Sequence, residues 1–344
     1  MKTEKAEFRE FLQLLELLDR GFLRNEEQAK TAFTLIADGK IDDEKIKEFL
    51  LKINKIGINS TLLCAAAQVF SRRAIKLNAP ENTIDVCGAG GDGLNTLNIS
   101  SAVAFVVAAC GIAIAKHGNR SASSAVGSAD VFEALDIDIN QSKERIEESL
   151  FTNNIAFIFA PNYHPALRNI APLRRELKVR TIFNFLGPLL NPAQLSSQLV
   201  GCSDEKIAPI MLDALNLLGR KRAAIVYGLD GMDEISISTD SIILKMDEKI
   251  IYPAQIFNPQ NYGIKKVNLN EIKGGDVHYN ARKIVDLLRG EKSAFLDIVA
   301  INSALALILA KKTDDFKEAI LLAGEAIDSG RAFDILQKLR KPNL

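Results

Sequence analysis

The chain has 344 residues, 47% of them hydrophobic and 25% charged, with 43 Lys plus Arg against 43 Asp plus Glu. That length allows a sizeable core and more than one domain, and the even charge balance gives no global field to gather nucleic acid or an anionic membrane. The most apolar stretches, 102–115 and 298–310, fall short of the ~20 residues a membrane span requires. The charged, amphipathic N-terminus does not read as a signal peptide, so the expected setting is cytoplasmic. Cys64, Cys87, Cys110 and Cys202 show no CxxC or zinc spacing and sit among apolar residues, which predicts buried free thiols.

Residues 1 to 78 read as helices only. Phe8, Phe11, Leu12, Leu14, Leu15, Leu17 and Leu18 recur at helical spacing until Gly21. Asn25 is the expected cap of a second helix, with Phe33, Leu35 and Ile36 on one face and Gly39 past its end. A third helix is expected over 42–54. Ser60 is the expected cap of a fourth, which carries Leu62, Leu63, Ala66, Val69 and Phe70.

From Thr83 the pattern alternates strand and helix. This predicts an α/β fold: a small all-helical N-terminal domain plus a larger α/β domain whose mostly parallel central sheet is flanked by helices. The expected division is 1–78, completed by helices near 165–190, and 79–344.

The stretch 83–130 carries the densest signal. A short β-branched run breaks into Gly88-Ala89-Gly90-Gly91-Asp92-Gly93, then recovers through Thr96, Asn98, Ser100 and Ser101 into an apolar helix. A second apolar run delivers Lys116-His117-Gly118-Asn119-Arg120-Ser121-Ala122-Ser123-Ser124. Glycines let backbone N–H groups turn inward around an anion, and the following helix start adds unpaired N–H groups. Ligands of open α/β sheets bind at the carboxyl ends of strands, so both loops are expected to face one phosphate-rich ligand.

Farther on, Pro161-Asn162-Tyr163-His164-Pro165 reads as a turn before a basic helix holding Arg168, Arg174 and Arg175. Residues 180–192 form an apolar run punctuated by Gly187, Pro188 and Pro192, which marks a shaped loop. Strands are expected at 198–202, 222–227, 242–246 and 249–251, a helix at 205–218, and mainly helix from 277 onward. Asp233-Glu234 follows the 222–227 strand and a glycine turn.

Several of these features have a plain alternative. Gly88-x-Gly90-x-x-Gly93 fits the dinucleotide pattern, yet the acidic residue that pattern needs at the end of the second strand is replaced by Lys116-His117. Asn98 could simply cap its helix, Asp233-Glu234 could be solvated, and Arg174 could lie on an exposed basic face. Against this, magnesium is usually held by one or two carboxylates plus substrate phosphates, which suits a carboxylate pair beside an anion-binding edge. His117, His164 and His278 lack metal-ligand spacing; His278 is expected at the surface and the other two in site loops.

Taken together, Gly88 to Asp92, Asn98 to Ser101, Lys116 to Arg120, and Arg180-Thr181-Ile182-Phe183-Asn184-Phe185-Leu186-Gly187-Pro188-Leu189 resemble the anthranilate phosphoribosyltransferase family. Gly231-Met232-Asp233-Glu234 is similar to its acidic metal motif, and Phe159 to Pro165 to its aromatic-substrate loop. The resemblance runs in order along nearly the whole chain.

It implies Mg²⁺-dependent transfer of phosphoribose from phosphoribosyl pyrophosphate to the amine of anthranilate, in tryptophan biosynthesis. Carried over by position, Gly88, Gly91, Asp92, Thr96, Asn98, Ser100, Ser101 and Lys116 fall in the phosphoribosyl pyrophosphate site. His117, Gly118, Asn119, Arg120, Ser121, Ala122, Ser123, Ser124 and Ser128 fall there too. Gly88, Asn119 and Arg174 match anthranilate positions, while Ser100, Asp233 and Glu234 match the metal. The resemblance further implies a homodimer through the helical domain, with no nucleic-acid or membrane partner.

Ala89 and Ser101 stand where the family commonly has threonine, and Ala125-Val126 replaces a more polar pair. A nucleoside phosphorylase of the same fold, or a non-catalytic nucleic-acid-binding relative, remains the alternative at this point.

Overall fold

The computed structural model describes residues 2–20, 25–120 and 126–340, with residues 2–5 and Arg175 as backbone only. Four helices come first: α1 (Lys2–Asp19), α2 (Glu26–Ala37), α3 (Asp43–Ile56) and α4 (Ser60–Arg72). Side-chain caps set three of their starts. Asn25 accepts from the Glu27 N–H, Asp42 from the Lys45 N–H and Asn59 from the Leu62 N–H, each at 2.9 Å. The cap of α4 is therefore Asn59, and Ser60 is its first helical residue. Gly21, expected to close α1, lies outside the described residues.

A run of buried rings binds these helices to a distant segment. Phe11 meets Phe49 at 5.4 Å between centroids, Phe49 meets Phe33 at 5.5 Å, and Phe183 touches both Phe33 and Phe70 at 6.4 and 5.5 Å. Most of these contacts are tilted or edge-on, the geometry the ring quadrupole favours.

The α/β part opens with β1 (Ile84–Gly88), α5 (Ile99–Ala109), β2 (Ile114–Gly118), α6 (Ser128–Ala134), α7 (Lys143–Thr152) and β3 (Ile155–Phe159). Next come four short helices, α8 (Ala160–Tyr163), α9 (Pro165–Arg168), α10 (Ala171–Leu177) and α11 (Ile182–Leu186), and a 3₁₀ turn at Gly187–Leu190. The expected turn at 161–165 is thus helical, and the expected basic helix is split in two. Prolines at the first or second position start α8, α9 and α10, where a missing N–H costs nothing.

Then follow β4 (Ser197–Gly201), α12 (Ile207–Leu217), β5 (Arg222–Gly228), β6 (Ser241–Asp247), β7 (Ile250–Ile251) and β8 (Gln255–Phe257). Helices α13 (Val277–Leu288), α14 (Ala294–Leu309), α15 (Phe316–Asp328) and α16 (Arg331–Leu339) complete the described fold. β8, three residues long, had no counterpart in the sequence reading.

The strands form one sheet in the order β3-β2-β1-β4-β5-β6-β7, with β8 also on β6. The pairs from β3 to β5 are parallel, and β6 runs antiparallel to its neighbours. Alternation along β4 and β5 separates two cores. Leu199, Ala224 and Val226 face a core built with the mainly apolar helices α5 and α14, while Val200, Ala223 and Ile225 face one shared with α1–α4. Ile170, Leu173, Ile182 and Phe183 join this second core, so apolar packing is continuous from the N-terminal helices to the sheet.

The chain leaves β1 toward β2 on one side and returns to it at β4 on the other. The carboxyl ends of β1 and β4 are therefore the point where strand order reverses, the position where open α/β sheets bind ligands. Among the described residues no helix is long and apolar enough to cross a membrane.

Candidate active site

The glycine loop leaves β1 at this reversal. Gly88 lies opposite Gly201 in the β1–β4 register, and the Ala89 N–H donates to the Gly201 carbonyl at 2.8 Å. The acidic loop after β5 folds back onto both glycines. A Cβ on Gly201 would stand on the Asp233 carbonyl, and one on Gly88 would run into the Asp233 carboxylate. Gly90 and Gly91, at φ +69° and +81°, turn the loop so that the Gly90 N–H donates to Asp233 Oδ2 at 3.0 Å.

The acidic loop is itself braced. Asp230 accepts from Ser236 Oγ at 2.6 Å, from the Met232 N–H at 3.2 Å and from the Ser238 hydroxyl. Asn302 of α14 accepts from the Ile235 N–H at 2.9 Å and donates to its carbonyl at 3.0 Å.

Asp233 and Glu234 can be reached from the cleft, yet protein surrounds them on nearly every side. Burial, with the nearby Asp92 charge, pushes the Asp233 carboxyl up to about 6. Burial and the Asp233 charge hold Glu234 well above its ordinary range. Hard oxygen donors crowded together, with Lys116 only partly offsetting their burial at Glu234, fit a divalent cation such as Mg²⁺. Among the described residues no three His, Cys, Asp or Glu side chains form a protein-only metal cage. A cation here would take its remaining ligands from water and substrate.

Opposite stands the start of α5. Asn98 was open to a capping reading, but its side chain is committed elsewhere. It donates to the Val126 carbonyl at 3.2 Å and accepts from Asn280 at 2.9 Å. Lys116, at the end of β2 and 2% exposed, reaches Ser100 Oγ with Nζ at 3.3 Å. Beneath it Asp85 is fully enclosed; it accepts from Asn191 Nδ2 at 2.9 Å and from the His117 N–H at 3.3 Å, and burial raises its pKa.

His117 and His164 both line the cleft, as site-loop residues should, but they are buried. His117 ends β2, His164 separates α8 from α9, and both are buried with their Nε2 atoms 3.2 Å apart. Burial lowers their pKa to about 3 and about 4, so both are neutral. His278 is exposed.

One cleft of about 360 Å³ collects these groups. Gly88, Gly91, Asp92, Thr96, Asn98, Ser100 and Ser101 line it from the glycine loop and α5. Lys116, His117, Gly118, Asn119, Arg120 and Ser128 line it from the end of β2 and the start of α6. Asp233 and Glu234 line it from the acidic loop after β5 and Arg174 from α10. Arg120 is already paired with Asp130 and Glu133, at 2.7 and 2.6 Å. Arg174 differs: burial lowers its pKa, and no acidic partner meets it among the described residues. Ser121, Ala122, Ser123 and Ser124 lie outside the described residues.

Comparison with known proteins places this arrangement. The glycosyl transferase family α/β domain matches residues 80–333. Anthranilate phosphoribosyltransferases of Persephonella marina and Novosphingobium aromaticivorans are 39% and 41% identical, over 92% and 90% of this chain and 94% of each of those proteins.

The chain belongs to the anthranilate phosphoribosyltransferase family.

The solved anthranilate phosphoribosyltransferase of Thermus thermophilus superposes with a TM-score of 0.89 at 34% identity, covering 95% of this chain and 98% of that one. The fold also matches the Saccharomyces cerevisiae anthranilate phosphoribosyltransferase solved with phosphoribosyl pyrophosphate and Mg, with a TM-score of 0.88 at 24% identity and 96% coverage of each chain.

Three features of this anthranilate phosphoribosyltransferase-family cleft escaped the sequence reading. These are the His117–His164 pair, the Asp85–Asn191 contact under Lys116, and the position of Arg180 against the glycine loop. Each joins residues tens of positions apart and leaves no local pattern. Only the polar character of Asp85 inside an apolar strand could have flagged one of them.

Proposed function

We propose that this chain transfers the phosphoribosyl group of phosphoribosyl pyrophosphate to the amine of anthranilate, releasing pyrophosphate, as its family does in tryptophan biosynthesis. The observation that carries the reading is that one cleft gathers two kinds of group. A glycine loop beside a carboxylate pair of raised pKa suits a cation-bound pyrophosphate. A half-buried guanidinium on the α10 wall, without an acidic partner among the described residues, suits a carboxylate.

In this reading Gly88, Gly91, Asp92, Thr96, Asn98, Ser100, Ser101, Lys116 and the 117–124 segment with Ser128 take phosphoribosyl pyrophosphate, while Asn119 and Arg174 take anthranilate. Asp233, Glu234 and Ser100 would hold Mg²⁺, which when bound neutralises charge on the leaving pyrophosphate; the yeast relative has been solved with that pair of ligands.

In the same reading Lys116, whose Nζ meets Ser100 Oγ at 3.3 Å, answers the charge that builds as the C1–oxygen bond breaks. The aryl amine is neutral at pH 7 and needs no strong base to attack. Arg174 and Asn119 then contribute mainly by holding it in line. The two neutral histidines add bulk and shape without adding charge.

The division into 1–78 and 79–344, assembly as a homodimer through the N-terminal helices and a cytoplasmic setting belong to the same proposal. Light scattering on the purified protein tests the dimer.

The test of function is anthranilate fluorescence in the presence of protein, phosphoribosyl pyrophosphate and Mg²⁺. Decay that needs all three, with stoichiometric pyrophosphate, is expected. No decay from folded protein that binds phosphoribosyl pyrophosphate would refute the acceptor.

A further inference from the structure

Arg180 lies outside every motif role assigned above, yet it is pressed against the centre of the glycine loop. Its Nη2 donates to the Gly90 carbonyl at 3.1 Å. Its guanidinium lies flat on Gly91, with Cζ 3.2 Å from where a Cβ would stand, so a side chain there would displace it. The other face covers the Phe185 ring of α11 at 4.8 Å, and its own carbonyl accepts from Asn54 Nδ2 of α3 at 2.7 Å. Arg180 is thus held on three sides: by an N-terminal helix, by a cleft-wall helix and by the loop.

The Gly90 residue is consequently gripped at both polar ends. Its N–H is taken by Asp233 and its carbonyl by Arg180. With the carbonyl turned out toward Arg180, the succeeding N–H groups are free to turn toward the cleft, as an anion cradle requires.

We propose that Arg180 is a positioning residue for phosphoribosyl pyrophosphate, fixing the Gly90–Gly91 peptide in its anion-binding orientation and tying that orientation to the N-terminal helices through Asn54. The inference rests on the function proposed above. It needs the planar guanidinium, which can stack and donate together, and not merely a positive charge.

The test uses the full-length protein and the variants Arg180→Ala, Arg180→Lys and Asn54→Ala. Steady-state kinetics for both substrates are paired with thermal unfolding and calorimetric binding of phosphoribosyl pyrophosphate with Mg²⁺. Arg180→Ala should raise KM for phosphoribosyl pyrophosphate about tenfold, the effect of losing one charge-assisted hydrogen bond, and leave KM for anthranilate and Tm nearly unchanged. Arg180→Lys should behave like the alanine variant, and Asn54→Ala should raise the same KM less.

Unchanged KM in both Arg180 variants, or full rescue by lysine, would overturn the inference. So would KM values for both substrates rising together as Tm falls, and Asn54→Ala remains informative if Arg180→Ala does not fold. Wild-type protein that neither binds phosphoribosyl pyrophosphate nor turns over would instead sink the functional reading beneath it.

Discussion

Acid should weaken this protein through the His117–His164 pair. The two imidazoles are 7% and 3% exposed, and burial depresses their pKa to about 3 and about 4. An unfolded histidine has a pKa of about 6.5. Below that value the unfolded chain binds protons that the folded chain refuses, so stability is complete above about pH 6.5 and drains away as pH falls toward 3. At pH 5 each histidine still neutral in the fold costs about 2 kcal/mol relative to pH 7.5, and the pair about 4 kcal/mol.

Asp85, Asp233 and Glu234 act with the opposite sign. Their raised pKa values make the folded form bind the extra protons, so acid favours it at these groups. A differential measurement isolates the histidines: urea unfolding at pH 7.5 and pH 5 of wild type and of His164→Gln. Glutamine can still donate an amide hydrogen to His117 Nε2. The variant should lose about 2 kcal/mol less than wild type over this interval. An equal or larger loss would refute the claim that the buried pair is held neutral.

Arg174→Ala should raise KM for anthranilate by about tenfold or more while KM for phosphoribosyl pyrophosphate holds, because it removes the cation that the α10 wall offers to the substrate carboxylate. Tm should stay level or rise, since a half-buried charge without an acidic partner among the described residues disappears; a fall in Tm would show that Arg174 has a structural partner. Asp233→Asn combined with Glu234→Gln should cut turnover by about 100-fold or more and raise Tm in metal-free buffer, read by kinetics and scanning fluorimetry. Gly201→Ala drives a methyl group onto the Asp233 carbonyl. It should cost about 1–3 kcal/mol and weaken the Mg²⁺ dependence of turnover, whereas normal dependence would mean that the acidic loop can shift without consequence.

Much of this was legible in the sequence because it is local. The glycine loop, the Lys116–Asn119 loop and Asp233-Glu234 are each compact patterns, and alternation of strand and helix points to strand ends as their common meeting place. By residue pattern alone Arg174 was one basic residue among several, and only the family resemblance singled it out; its lack of an acidic partner among the described residues is a fact of packing.

A few small elements lie elsewhere than local pattern predicts, each for a physical reason. Asn59 outcompetes Ser60 as a cap because the amide reaches the Leu62 N–H from one residue upstream. Asn98 stops capping once Asn280, 182 positions away, offers it a better bond. The 160–177 segment is broken into three short helices because prolines restart the chain repeatedly. His117 and His164, expected in site loops, do line the cleft, but their burial against each other comes only with the tertiary fold.

The ring of phenylalanines has a consequence for how far the molecule can be trimmed. Phe183 sits in α11 immediately before Asn184, a residue of the cleft wall, and it is wedged between Phe33 of α2 and Phe70 of α4. A chain begun at residue 79 would leave that ring without its seat. Its neighbours Ile182 and Leu186 would lose their covering as well. What looks like a dispensable leading segment is a mould in which one side of the catalytic chamber is cast.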